Sequence, residues 1–174
     1  MKALLLGLVL LLGGCDGYYA GARSDVYLTT PIGLGQKIGE VSFMDTPSGL
    51  LVTVDLQNLP QGEHGFHIHD NPDCGASADV HGKMQPALKA GGHYDPDKTG
   101  KHLGPNKVQG HKGDLPVLKV SEDGRVKTSF VVHHLQVKEI KKRSIMVHAN
   151  GDNYQDFPLP LGGGGARIAC GVIE

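Results

Sequence analysis

Val52, Val54 and Leu56 alternate with Thr53, Asp55 and Gln57, the two-residue period of a strand that buries one face. Extended segments are also read over residues 26–30, 38–43, 64–69, 115–120, 125–132, 145–149 and 166–173, with the poorest pattern in 38–43. Glu122-Asp123-Gly124 is the turn signal between two of them. No long segment carries a helical period. Residues 138–143 read either as one short helical turn or as a solvated basic loop. About eight short strands with no helices must bury their apolar faces against one another. An antiparallel β-sandwich or flattened barrel is therefore predicted.

Two long stretches rich in glycine and proline, residues 70–113 and 150–165, interrupt this series. Loops of that length are uncommon in compact domains unless they are functional or fastened by something. Most of the ten histidines fall into one ordered set across these loops and the strands beside them. His67 and His69 lie in Gly65-Phe66-His67-Ile68-His69. His93, His102 and His111 follow at intervals of nine, Asp114 comes three residues later, and His148 closes the set. On a strand, His67 and His69 project to one face, about 6–7 Å apart along the axis. With His148 from a second strand and His93 from the loop they make four imidazoles, a set suited to Cu(II). His93, His102, His111 and Asp114 offer three nitrogens and one oxygen, a closed tetrahedral set suited to a structural zinc. His93 serves both ions only if its imidazole is deprotonated and bridges them. Gly91 and Gly92 leave room there for close backbone approach.

The 174 residues amount to about one domain, and 39% hydrophobic content is enough for a core. A net charge of −1 without a dominant basic block does not suggest a nucleic-acid partner. Residues 1–14 read as a signal peptide, with Lys2 followed by an apolar run over 3–12 that is too short to span a bilayer. Leu12-Gly13-Gly14-Cys15 resembles the lipobox of bacterial lipoproteins, which implies a lipid anchor on Cys15; an ordinary signal peptide with an incidental cysteine is the plainer alternative. On the first reading residues 15–24 are a lipidated N-terminus and tether, and 25–174 are the folded domain. Export places the chain in an oxidising compartment. With Cys15 lipidated, Cys74 and Cys170 are left as the one available pair.

Gly65-Phe66-His67-Ile68-His69, Gly91-Gly92-His93, Gly104-Pro105, Gly113-Asp114-Leu115 and Ala169-Cys170-Gly171-Val172-Ile173 together resemble copper/zinc superoxide dismutase, in the expected order and over nearly all of the mature chain. Gly151-Asp152-Asn153 and the glycine run 162–165 resemble the bacterial branch of that family. The resemblance implies a Greek-key fold and the disproportionation of superoxide to oxygen and hydrogen peroxide. It implies copper on His67, His69, His93 and His148, and zinc on His93, His102, His111 and Asp114. Asp152 resembles the carboxylate that links one histidine of each set, and Arg167 resembles the arginine beside the copper channel. His93 and Arg167 are then the catalytic pair, with His93 leaving copper and taking up a proton. His64 resembles a structural core histidine. His81 reads as solvated, and His133 and His134 as strand-end residues. A periplasmic, membrane-anchored protein follows, either monomer or homodimer.

Removal of residues 1–14 takes away Lys2 and moves the formal charge from −1 to −2, so an anionic substrate needs a local positive field. Lys83, Lys89, Lys98 and Lys101, or the basic run 138–143, are the residues available for it. Two other readings compete with the enzyme. A protein that buffers copper and zinc needs neither the bridge nor Arg167, and an inactive interaction domain has no need of a full ligand set.

Overall fold

The computed structural model describes residues 20–174. The signal peptide, Cys15 and the first half of the tether lie outside the described residues. Eleven strands are present: β1 (Gly21–Thr30), β2 (Gly33–Thr46), β3 (Gly49–Leu56), β4 (Gly62–His64), β5 (Phe66–His69), β6 (Ser77–Ala78), β7 (Met84–Gln85), β8 (Leu118–Val120), β9 (Val126–Val132), β10 (Ser144–His148) and β11 (Arg167–Val172). Seven form one antiparallel sheet in the order β5-β10-β11-β1-β2-β3-β9. β4 pairs with β8, and β6 with β7. Only Gly65 separates β4 from β5, and β8 turns into β9 through Ser121–Arg125, so the β4–β8 pair draws the two edges of the long sheet together. Counting β4 and β5 as one interrupted strand and leaving out the two-residue pair β6–β7 recovers the predicted eight. The fold is the expected nearly all-β, curled antiparallel one. A single helical turn, α1 (Val137–Ile140), settles the ambiguity over 138–143 in favour of a turn that starts one residue earlier.

Alternation explains most of the core. Leu50, Val52, Val54 and Leu56 of β3 all point inward and are fully buried. Burying an apolar side chain of this size stabilises a fold by about 1.5–3 kcal/mol. The poor pattern of residues 38–43 has a local cause. Val26 pairs with Gly39 and Tyr27 with Lys37, which leaves Ile38 as the extra residue of a bulge. Ile38 and Val41 can then both face the core, three residues apart.

Two boundaries differ from expectation. β1 begins at Gly21, with Ala22, Arg23 and Ser24 paired to Phe43, Ser42 and Val41, so residues 21–24 belong to the sheet and not to a tether. Ser24 is buried beside Val26 on the inward face, and its polarity hid the strand period. Residues 115–117 are not strand; Pro116, which has no N–H to donate, delays β8 to Leu118.

β5 and β10 are buried on both faces. Phe66, Ile68, Ile145 and Val147 enter the core, whereas His67, His69, Met146 and His148 point the other way, under the two long loops. The loop segments attach to the free edge of β5. The Ile68 N–H donates to Gly113, the Tyr94 N–H to Ile68, and the Gly113 N–H to Tyr94. A Cβ on Gly113 would collide with the Ile68 carbonyl oxygen, so only glycine allows this close approach. Cys74 and Cys170 form a disulfide across 96 residues that fastens the first loop to β11, with Met146, Ala87 and Ala90 packed around it. Closing a loop of that size contributes about 4–5 kcal/mol in the chain-entropy model.

Candidate metal centre

Each face of β5 has its own chemistry because successive side chains alternate. The outward pair His67 and His69 have ring centroids 6.5 Å apart, as the strand spacing predicts. Antiparallel pairing sets His67 opposite Met146, and β10 then supplies His148, whose Nε2 lies 3.3 Å from Nε2 of His69. An isolated bridge between His69 and His93 brings the first loop in, and a second, between His67 and Asp114, fixes its far end. His93 stacks on His67 at 4.0 Å. His67, His69, His93 and His148 thus offer ligand atoms that all lie within 4.8 Å of one another, and all four residues are buried.

A second group adjoins the first. Asp114 is fully buried, with His93 Nδ1 3.0 Å from Oδ1, His102 Nδ1 3.0 Å from Oδ2 and His111 Nδ1 3.4 Å from Oδ1. The second cluster of ligand atoms within 4.8 Å of one another joins His93, His102 and Asp114 with His67, whereas His111 reaches the group through Asp114. His93 is common to both groups.

Hydrogen bonds fix which ring nitrogen each histidine presents. His69 Nδ1 donates to the Gly91 carbonyl at 3.0 Å and His148 Nδ1 to the Gly165 carbonyl at 3.2 Å, which leaves both Nε2 lone pairs facing each other. Asp152 accepts from Nε2 of His67 on one oxygen and from Nε2 of His102 on the other, each at 2.7 Å. Nδ1 is then the free nitrogen of both rings. Nδ1 of His67, His102 and His111 are buried without a hydrogen-bond partner. Buried nitrogens without partners are costly in a protein interior unless something else meets them. Imidazole lone pairs converging at these separations, with one carboxylate, fit divalent copper and zinc.

The second loop is shaped around the Asp152 link. Gly162 has φ of 70°, and a Cβ there would collide with Asp152 Oδ1 and come within 2.8 Å of His102 Nε2. Two partners of the site were missed by sequence reasoning because they are backbone: the carbonyls of Gly91 and Gly165. The one available signal was the glycine next to a ligand. Asp156 was also missed; its Oδ2 accepts the backbone N–H of His102 at 3.0 Å.

Arg167 lies at the start of β11, partly buried, and donates to the Ala87 and Gly91 carbonyls at 2.6 Å each. It lines a hollow of about 240 Å³ together with His69, His93, His148, Leu161 and Gly164. No lysine lines that hollow. Lys138, Lys141 and Lys142 border a different one. His64 has Nδ1 2.7 Å from the His148 carbonyl and Nε2 2.8 Å from the Pro60 carbonyl, so it is held in the frame behind the site. His81 and His133 are exposed and His134 is half-buried; none joins either group.

The two groups differ in proton affinity. Burial holds His69 and His148 well below the usual imidazole range, and nearby rings and Arg167 add to it. Burial also brings His93 down to about 4, despite its bond to Asp114. At His102 burial is outweighed by the adjoining carboxylates of Asp114 and Asp152, which hold the ring at about 9. His111 is raised by the nearby Asp114 carboxylate. Burial works against charge on Asp114, but the His102, His111 and His93 rings beside it carry it well below the usual carboxylate range. A ring with a raised pKa takes its proton at higher pH, and a protonated ring cannot ligate. On acidification the metal held by His102 and His111 is therefore expected to leave at higher pH than the metal held by His69 and His148. A single titration of the doubly loaded protein, read by a zinc-sensing dye and by copper absorption, checks the order; copper leaving first would refute it.

An antiparallel β-barrel with two adjoining groups of buried transition-metal donors that meet at His93 is the class this fold and site define. The family model for copper/zinc superoxide dismutase matches residues 37–173. The copper–zinc superoxide dismutase of Brucella abortus is 47% identical, covering 100% of both chains. A copper–zinc superoxide dismutase 1 of Salmonella typhimurium is 54% identical over 82% of this chain and 80% of its own. Among solved structures, the copper/zinc superoxide dismutase from Brucella abortus superposes with a TM-score of 0.86 at 50% identity, covering 89% of this chain and 100% of that one. The solution structure of the monomeric enzyme from Salmonella enterica gives a TM-score of 0.78 at 47% identity, with the same coverage. The chain belongs to the copper/zinc superoxide dismutase family.

Proposed function

We propose that this protein disproportionates superoxide, two superoxide anions and two protons giving one oxygen and one hydrogen peroxide, outside the cytoplasm. The observation that carries the reading is His93, buried and shared between two converging groups of metal donors. His67, His69, His93 and His148 hold copper; His93, His102, His111 and Asp114 hold zinc. When bound, copper supplies a one-electron couple and zinc a fixed positive charge. The chain's own residues do the rest. Arg167 draws the anion into the hollow by charge and by the N–H groups it does not spend on Ala87 and Gly91. Leu161 and Pro160 narrow the entrance. Asp152 holds the His67 and His102 rings in the tautomer that leaves Nδ1 free. His93 has Nδ1 committed at Asp114, so Nε2 is the atom at which it takes up a proton and offers it to the departing peroxide.

Storage of copper and zinc is the weaker reading, because Arg167, anchored by two carbonyls beside the donors, has no part in it. Protein loaded with one copper and one zinc is expected to remove superoxide catalytically, and stoichiometric consumption would favour storage. Residues 15–20 tether the domain, with Cys15 lipidated in the periplasm. The lipobox and the Cys74–Cys170 disulfide support this placement. Cys15→Ser is expected to move the protein from the membrane fraction to the soluble one. Unchanged fractionation would remove the lipid anchor from the account.

A further inference from the structure

Lys138, Lys141 and Lys142 border a hollow of about 540 Å³ with Pro72, Val172 and Ile173 as its apolar walls. All three lysines are exposed, and none is in an ion pair among the described residues. Glu174 is the one acidic residue lining it. The acids nearby are otherwise engaged: Glu139 with Lys112 and the Gln136 N–H, Asp70 with Arg143, and Asp25 with Lys37. Lys142 has φ of 61°, a conformation that glycine adopts with less strain, yet a lysine occupies it.

This hollow adjoins the point where the chain enters the fold. The Ala20 carbonyl accepts from the Asp45 N–H, and the Asp45 side chain accepts from the N–H of Val137, the residue before Lys138. Arg23 exchanges both backbone hydrogen bonds with Glu174. Ala20 is five residue steps from Cys15, a reach of at most about 18 Å. A lipid on Cys15 therefore keeps Ala20 within about two Debye lengths of a bilayer.

We propose that the face made by Lys138, Lys141 and Lys142 docks on the anionic phospholipid headgroups of the membrane that carries the anchor. Its placement at a bilayer rests on the lipidation of Cys15; its affinity for anionic lipid does not. The hollow shares no lining residue with the one beside His69, His93 and His148.

The strands, the disulfide and the core described all lie within residues 20–174, so this segment is the test protein. This chain is expected to co-sediment with vesicles of mixed phosphatidylglycerol and phosphatidylcholine, weakly with phosphatidylcholine alone, and less as salt rises. Replacing the three lysines by alanine should lower partitioning on the order of a hundredfold. Retained disulfide and melting temperature would show that the variant is folded. Equal partitioning of the variant and the parent, or equal binding to both vesicle types, would overturn the proposal. So would dimerisation in solution that the same substitutions abolish, which would give the hollow to a second copy. Because this test lacks Cys15, its failure is distinct from failure of the lipid anchor, which the Cys15→Ser fractionation reads.

Discussion

His93→Ala is expected to cost more than ~100-fold in dismutation rate, because loss of even an outer partner of a metal ligand costs about 10–100-fold. The substitution removes a residue that faces both groups of donors. Its imidazole stacks on His67 at 4.0 Å, lies 5.0 Å from the His69 ring and reaches Asp114 through Nδ1. Alanine leaves the proposed copper set with three rings and the proposed zinc set without the nitrogen 3.0 Å from Asp114. Copper spectroscopy should show a changed geometry, and zinc should be released more easily to a chelator. The fold should persist, since the segment is held by backbone bonds from Ile68, Tyr94 and Gly113 and by the disulfide. An unchanged copper spectrum at full occupancy of both metals would take His93 out of the bridge.

Arg167→Glu is expected to lower the rate by roughly 10- to 100-fold with both metals still bound. Two unit charges 4 Å apart interact by about 1 kcal/mol in water and about 4 kcal/mol at the effective dielectric of a protein surface. Reversal turns that attraction into repulsion, and each ~1.4 kcal/mol is tenfold in rate. The structure adds a local effect. The two carbonyls that Arg167 bonds would face a carboxylate, and one of them, Gly91, also orients His69. Arg167→Lys separates charge from geometry: it keeps the positive charge but cannot reproduce the planar fork that joins Ala87 and Gly91. It should lose less than the glutamate variant. Added salt should slow the parent, and should slow Arg167→Glu less or even speed it. A fully metallated glutamate variant as fast as the parent at low salt would end the role of Arg167.

The features legible in the sequence share a physical cause: they depend on near neighbours along the chain. β3 could be read from alternation alone, because both of its neighbours are in the sheet and one face is wholly buried. β1 was read five residues too short because buried Ser24 interrupts the apolar period. Residues 38–43 read poorly because a bulge at Ile38 changes which residues face inward, and a bulge is a property of the pair of strands. The donor residues could be listed by type and spacing, but the grouping of His67 with Asp114 as well as with His69 could not.

By itself the sequence determined the strand periods, the donor types that suit copper and zinc, and the one cysteine pair left once Cys15 is set aside. These follow from side-chain chemistry and from the two-residue repeat of an extended chain. The tertiary structure alone decided which nitrogen each histidine turns inward, because the Gly91, Gly165 and Asp152 oxygens that hold the other nitrogen come from distant loops. It alone brought Glu174 and three lysines to one hollow near the chain's entry at Ala20, through bonds between residues distant in the sequence. Such contacts arise from sheet order and loop closure, and a linear pattern does not record them.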